Sequence, residues 1–125
     1  MHEDALGSVA WRRRHTRYHY VGTLAATDSG LRLEGRDPAT GIELALSIPF
    51  SEIEAVLAPN GSGDVLVGEP ALVLRLAGSD PVLMCETDPG PEHTAALATR
   101  LSSLLERKRP SPAKRSKARR RRRPR

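Results

Sequence analysis

Residues 107–125 hold the side chains whose types and spacing most clearly indicate a chemistry. Twelve of these 19 residues are Arg or Lys and none is acidic. The basic residues are Arg107, Lys108, Arg109, Lys114, Arg115, Lys117, Arg119, Arg120, Arg121, Arg122, Arg123 and Arg125. Like charges at this density repel one another, and no apolar residue larger than Ala or Pro is present to fold the segment. We therefore expect this basic tail to bind polyanions and residues 109–125 to be disordered.

Three roles fit the basic tail. Arg and Lys release counterions from nucleic-acid phosphates, which gives salt-dependent binding without base specificity because nothing in the tail is preorganised to read base edges. The same charges attract the anionic headgroups of a membrane surface. The tail has no Trp, Phe or Leu to insert into a bilayer, which favours nucleic acid over a membrane. The third role is that of a solubilising extension on a protein-interaction domain.

The remainder of the chain carries the opposite charge. Residues 1–106 contain 8 basic and 15 acidic side chains, although the whole chain has a formal charge of +5. This acidic body should repel polyanions, so only the tail is expected to attract them. Its length suits a single folded domain.

The cysteine content and the first residues indicate a compartment. Cys85 is the only cysteine, so neither an intramolecular disulfide nor a cysteine cluster for a metal can form within one chain. The chain begins with acidic residues where a secretory signal would be basic, and no apolar run approaches the roughly 18 residues of a membrane span. We expect a cytoplasmic protein.

A second group of chemically useful residues consists of polar aromatic side chains near the N-terminus: His15, Tyr18, His19 and Tyr20. The surrounding residues predict a strand over residues 15–26. On a strand, His15 and His19 would lie roughly 13 Å apart, too far to bind one metal ion. We therefore expect no metal site and interpret these four residues as a strand that contacts a partner protein.

No pattern in the chain indicates an enzyme. Cys85 lies in the apolar run VLMCET, where a buried and inert thiol is expected. The glycine-rich NGSGD lacks the Gly-Lys-Ser/Thr element of a phosphate loop. Five aspartates occupy turn signals, where they bond local backbone: Asp28, Asp37, Asp64, Asp80 and Asp88. We expect no catalytic residues and no cofactor.

The element that most clearly organises the body is the stretch over residues 41–58. Apolar residues alternate with other residues at Ile42, Leu44, Leu46 and Ile48, which predicts a strand with one buried face. Pro49 ends that strand, and a second short apolar set follows at residues 53–57.

Other short strands are predicted on either side of this stretch. Residues 1–10 show no period and are expected to be a loose terminus. Turn signals at residues 27–30 and 37–41 join three strands into an antiparallel meander. Further strands are expected at residues 64–67, 71–76 and 82–86. The period changes only once, where Leu97, Leu101, Leu104 and Leu105 share one face of a helix predicted at about residues 91–108.

Seven short antiparallel strands followed by one amphipathic helix resemble the pleckstrin-homology-like fold, including its GRAM-type versions. The resemblance rests on VGTLAATDSGLRLEG, on LSIPFSEIEAV and on TAALATRLSSLL, and it covers residues 15–108. It implies a small seven-stranded barrel closed by the C-terminal helix. The domain boundaries expected from it are a flexible N-terminus at residues 1–14, the barrel at 15–108 and the basic tail beyond.

The resemblance also implies a binding function. Members that bind inositol phosphates use basic residues in the loop between the first two strands. With the strands as predicted, that loop is ATDSG, residues 26–30, which has an acid and no base. The resemblance therefore implies a protein or peptide partner for this domain.

Overall fold

The computed structural model describes residues 3–59, 64–88 and 91–108. Its strands and helix are β1 (Glu3–Arg13), β2 (Tyr20–Thr27), β3 (Gly30–Arg36), β4 (Glu43–Pro49), β5 (Ile53–Leu57), β6 (Val65–Leu66), β7 (Glu69–Pro70), β8 (Leu72–Leu76), β9 (Ser79–Glu86) and α1 (Pro91–Lys108). The protein is therefore mainly β with one helix in the described residues, as predicted.

Seven of the strands form one antiparallel sheet in the order β4-β3-β2-β1-β9-β8-β5. The meander β2-β3-β4 is confirmed. The sheet is not closed, because β4 and β5 lie at its two ends and are not paired with each other among the described strands. The expectation of a closed barrel is wrong in this respect.

The connection between β4 and β5 nevertheless requires the sheet to curl. β4 ends at Pro49, and a single turn of 3-10 helix, Phe50–Glu52, leads directly into β5. Four residue steps span at most roughly 14 Å. Seven flat strands would hold their outer members roughly 29 Å apart at the usual strand spacing. The proline bend therefore carries the chain from one edge of a strongly curved sheet to the other.

The inner face of the curved sheet and the helix enclose the main core. Leu24, Leu33 and Leu46 stand opposite one another on β2, β3 and β4, and Ala26, Leu31 and Ile48 form the next row. The leucine stripe of α1 packs over β5, β8 and β9, with Leu97, Leu101 and Leu104 buried and Leu105 partly buried. The helix prediction is confirmed in both its bounds and its buried face.

A smaller core lies on the opposite face of the sheet. The hairpin formed by β6 and β7 covers that face, and the buried residues there are Ala10, Leu66, Ala71, Val73, Leu83 and Cys85. Because β8 and β9 are covered on both sides, their apolar runs are nearly continuous. The thiol of Cys85 lies 3.7 Å from the carbonyl oxygen of Leu66. Its expected burial is confirmed.

The N-terminal prediction is wrong. Glu3–Arg13 form β1, which pairs with β2 on one side and β9 on the other, so these residues are not a loose terminus. Val9, Ala10 and Trp11 are consecutive and all buried, because the strand has a core on each face. A register shift between Ala5 and Gly7 interrupts the ladder with β2. These two features removed the period-two pattern that identifies a strand with one exposed face.

The first loop also lies elsewhere than expected. Residues 14–19 connect β1 to β2, whereas the turn after Thr27 connects β2 to β3. The predicted strand over residues 15–26 therefore begins only at Tyr20. The loop between the first two strands is basic, with Arg14, His15, Arg17 and His19, and it is not the acidic ATDSG.

Candidate binding site

The edge strand β4 borders a part of the inner face that the core does not fill. From Ile48 back to Ile42, the residue before β4, the apolar residues become steadily more exposed: Ile48 is 2% exposed, Leu46 is half-buried, Leu44 is 43% exposed and Ile42 is 61% exposed. The buried face predicted for all four residues is correct only at the Ile48 end. The strand prediction itself is confirmed.

Two glycines explain the missing cover. Leu44 stands opposite Gly35 on β3, and Gly35 stands opposite Gly22 on β2, so this row of the inner face holds one side chain where neighbouring rows hold three. A Cβ atom on Gly35 would lie 2.8 Å from the Cβ of Tyr20 and 3.0 Å from Nε1 of Trp11. Glycine therefore allows these two aromatic rings to lie directly on the sheet beside Leu44.

The result is an apolar pocket of about 350 Å³ at the open end of the main core. It is lined by Trp11, Arg13, Thr16, Tyr18, Tyr20, Leu44, Ala45 and Leu46. The Trp11 and Tyr20 ring centroids are 5.1 Å apart, and the Trp11 indole N–H donates to the carbonyl oxygen of Glu34 at 3.3 Å. These contacts fix one wall of the pocket, while Tyr18 stands at the mouth with half of its surface exposed.

The opposite face of β2, β3 and β4 carries a shallower groove of about 550 Å³. Its floor is made by the row Val21, Arg36 and Glu43 and the row Thr23, Glu34 and Ala45. Arg36 donates to the carboxylate of Glu43 across the strands. The edge strand β4 thus has a hollow on each face.

The backbone of β4 presents hydrogen-bonding groups on its outer side. The backbone N–H of Asp37 donates to the carbonyl oxygen of Ile42 at 2.9 Å, and the N–H of Phe50 donates to the carbonyl oxygen of Ser29 at 3.0 Å. Ile42 and Phe50 are both even-numbered, so the even-numbered residues of this segment are the ones whose backbone groups point towards β3. Since bonding alternates along an antiparallel ladder, the backbone groups of Glu43, Ala45 and Ser47 point away from β3. Among the described strands, none pairs with this side of β4.

The β1–β2 loop borders the pocket through Thr16 and Tyr18 and is rich in basic residues, and internal partners hold much of it in place. The Arg12 guanidinium donates to the carbonyl oxygens of Arg13, Arg14 and Thr16, at 3.2, 2.8 and 3.0 Å. Arg14 forms an ion pair with Asp64 at 2.7 Å. Within the described part of the chain, Arg17 is exposed and has no such partner.

Asp80 anchors the same loop from β9. Its carboxylate accepts hydrogen bonds from the backbone N–H of His15, at 2.9 Å, and from the His15 ring. Burial raises the pKa of Asp80, but the two hydrogen bonds from His15 and the nearby charges of His15 and Arg13 outweigh that effect and hold the pKa below its usual value. The loop therefore keeps a defined shape over the pocket.

The four predicted contact residues are only partly brought together. Tyr18 and Tyr20 line the pocket, whereas His15 is bonded to Asp80 and His19 does not line it. They do not share a strand, since only Tyr20 lies in β2, and β2 is not an edge because β1 and β3 flank it. The sequence interpretation missed Trp11 and Leu44. The glycines at positions 22 and 35 were the available signal.

Few other groups in the described residues indicate a chemistry. The described part of the chain holds no group of three His, Cys, Asp or Glu side chains that could bind a metal ion. Burial and the neighbouring Glu69 raise the pKa of the Cys85 thiol, which disfavours the nucleophilic thiolate. No helix of the described residues is long and apolar enough to span a bilayer. Arg107 and Lys108 end α1 in exposed positions, and the other basic-tail residues lie outside the described ranges.

Comparison of the chain with protein-family models, curated protein sequences and solved structures finds no match. The function is therefore argued from the surfaces of this chain.

Proposed function

We propose that the protein is a non-enzymatic binding module of the pleckstrin-homology-like kind. Its folded body makes a protein or peptide contact, and its basic tail attaches it electrostatically to nucleic acid. The separation of charge along the chain carries the second half of this proposal. Twelve basic and no acidic residues follow Glu106, after a body with nearly twice as many acidic as basic residues.

The strand order supports the pleckstrin-homology-like assignment. A four-stranded meander, β1 to β4, continues through β9 into β8 and β5, and the one described helix follows the last strand and packs over β5, β8 and β9. This combination matches the strands-then-helix pattern on which the resemblance rests. Fold alone does not assign a ligand, so the function must come from the surfaces.

The correction to the first loop does not make inositol phosphate the better ligand. The loop is basic, but Arg14 is paired with Asp64, His15 with Asp80, and Arg12 with backbone carbonyls. The phosphate groups of an inositol phosphate would have to displace these partners in order to bind Arg12, Arg14 and His15. The apolar pocket beneath the loop favours a protein or peptide contact instead.

The exposed basic end of α1 supports a role of the tail in polyanion binding. Leu104 is the last buried residue of the helix, and Glu106, Arg107 and Lys108 are exposed. The first two basic residues of the tail, Arg107 and Lys108, are therefore accessible to a polyanion. If about half of its charges contact DNA phosphates, log affinity should fall with log salt at a slope of roughly −5. We place this activity in the cytoplasm.

A comparison of the whole chain with a 1–108 truncation tests the tail. The truncation retains every described strand and the helix. Both proteins are titrated with duplex DNA, single-stranded RNA and anionic liposomes at about 50 and 200 mM salt. We expect strong, salt-sensitive binding to both nucleic acids that the truncation removes.

A matched variant separates charge from length. Replacing Arg119 to Arg123 by Gln keeps the full chain and should reduce both the affinity and the salt slope. If the truncation binds nucleic acid as well as the whole chain, the proposal is wrong. Binding to liposomes alone would show that the tail associates with anionic membranes, and binding to neither would leave it a solubilising extension.

A further inference from the structure

We propose that β4 binds an extended acidic peptide by strand addition, with one bulky apolar side chain of the peptide in the Trp11–Tyr20–Leu44 pocket. This assigns a location and a class of partner to the protein contact in the proposed function and rests on that half of it. It does not depend on the basic tail.

The backbone of β4 is suited to accept another strand. Its outward N–H and C=O groups at Glu43, Ala45 and Ser47 can form a ladder with an extended chain, as edge strands do in peptide recognition. Natural edge strands are protected from such pairing by lysine, by proline or by a covering segment. Between Glu43 and Ser47 this strand has no lysine or proline, and in the described part of the chain nothing pairs with it. Pro49 lies at its end only.

The pocket determines which side chain the added strand must carry. An added strand continues the inward and outward alternation of the sheet, so every second side chain points to the inner face beside Leu44. The pocket of about 350 Å³ lies at the small end of the range for ligand sites. Its walls of Trp11, Tyr20 and Leu44 are apolar. One large apolar side chain could enter it and cover the exposed surface of Leu44.

Charge determines what surrounds that side chain. Four of the eight arginines in residues 1–106 lie between positions 12 and 17, in and beside the β1–β2 loop, although the body as a whole is acidic. Arg13 lines the pocket, with its Nη1 donating to the carbonyl oxygen of Asp80 at 3.3 Å, and Arg17 is exposed between Thr16 and Tyr18, which both line the pocket. Acidic residues flanking the apolar anchor would complement these two cations and gain on-rate and specificity from them.

The same charges disfavour two other occupants. The basic tail of this chain would place like charges against Arg13 and Arg17. A second copy of the chain would pair β4 with β4, which brings two acidic bodies together. Because β4 contains no Lys or Arg, neither copy would offer a basic residue to pair with Glu43 of the other. The other end of the sheet, β5, has α1 packed beside it, with a polar hollow that includes Ser102, Ser103 and Glu106.

The test uses a fluorescein-labelled peptide, EETVTLTVEE, and fluorescence anisotropy with the full-length protein. One control peptide, KKTVTLTVKK, reverses the flanking charge. A second control keeps the acidic sequence but is N-methylated at alternate backbone nitrogens. The basic tail can attract both acidic peptides by charge, whereas strand addition requires the free backbone N–H groups. We expect binding of the first peptide and at least about tenfold weaker binding of either control.

Two protein variants locate the site. Ala45→Pro removes a backbone N–H that points away from β3, so no hydrogen bond to β3 is lost. Leu44→Glu places a negative charge, like those of the acidic peptide, in the pocket. Each should weaken the acidic peptide by about tenfold or more, while Val67→Glu, at an exposed valine in the β6–β7 turn, should not. If Ala45→Pro fails to fold, Leu44→Glu and the amide shifts of Glu43, Ala45 and Ser47 on peptide addition decide.

The outcomes distinguish this inference from the proposed role of the tail. Equal binding of the N-methylated peptide, or binding unchanged in both β4 variants, would overturn strand addition at β4 even if nucleic-acid binding by the tail is intact. A dimer in sedimentation that Leu44→Glu dissociates would assign the edge to a second copy and overturn the peptide. Site-dependent peptide binding without nucleic-acid binding would refute the tail proposal alone.

Discussion

Replacing Leu101 by Asp tests whether α1 is part of the core of this protein. Leu101 lies in the middle of the leucine stripe and is 1% exposed, among the side chains that cover the inner face of the sheet. Removing a buried leucine costs about 2–5 kcal/mol, through lost burial and the cavity that remains. A carboxylate left there without a partner costs several kcal/mol more. We expect a loss of at least about 5 kcal/mol in the free energy of unfolding.

That loss is a large share of the total, because a domain of this size is stable by about 5–15 kcal/mol. Trp11 is the only tryptophan and is buried against the same core, so its fluorescence reports unfolding in urea. With a urea dependence of about 1–3 kcal/mol per molar, the midpoint should fall by roughly 2 M or more, or the variant should be unfolded without urea.

Ser103→Asp is the matched control for this experiment. Ser103 is exposed on the same helix, so the variant adds the same charge without burying it. Its cost should be a few tenths of a kcal/mol, since surface changes and an acid near a helix C-terminus have small effects. Equal midpoints for the two variants would mean that α1 does not cover the sheet, and the core described above would be wrong.

Two further substitutions test the pocket and the loop above it. Gly35→Ala places a Cβ 2.8 Å from the Cβ of Tyr20, so the Trp11–Tyr20 wall of the pocket must shift. We expect the free energy of unfolding to fall by about 1–3 kcal/mol and the Trp11 emission to change. Wild-type values for both would refute the close packing. The second substitution is Asp80→Asn. In the wild-type protein the pKa of Asp80 is lowered by folding, so its carboxylate stabilises the fold above its usual pKa, and this contribution is lost as the pH falls through the folded pKa. Urea unfolding should therefore find wild type more stable than Asp80→Asn at neutral pH, with the difference disappearing below pH 3.8, and a difference independent of pH would contradict the Asp80–His15 contact.

The sequence predicted the elements whose signals are local. The bounds and buried face of α1 follow from the leucine spacing, because only one face of the helix meets the sheet. The turn at residues 37–41 follows from its residue types: Asp37 accepts bonds from the backbone N–H of Ala39 and the hydroxyl of Thr40, and the Gly41 N–H donates back to the Asp37 carbonyl.

The features that depend on distant parts of the chain were not predictable in this way. The central strand β1 shows no alternation of apolar and polar residues, because β6 and β7 cover the face that would otherwise be exposed. No pattern within residues 3–13 predicts that this face is covered. Because β1 was not predicted, the loop between the first two strands was assigned to residues 26–30, and the arginines of the β1–β2 loop were not considered part of a site. The pocket also requires Trp11 of β1 and Tyr18 of the β1–β2 loop to lie beside Leu44 of β4, about thirty residues further along the chain.

The apolar alternation of β4 is the feature whose meaning the structure changes most. Alternation predicts a buried face, and burial at Ile48 satisfies it, but at Leu44 and Ile42 the part of the chain that the structure describes leaves that face exposed. Local propensity explains a strand there without requiring leucine or isoleucine at exposed positions. Two glycines on β2 and β3 leave that row of the inner face without other side chains, and Leu44 is 43% exposed. The strand addition proposed above would bury the rest of this leucine. The pattern that indicates a core in a central strand is, at this edge, the observation from which we propose a peptide-binding surface.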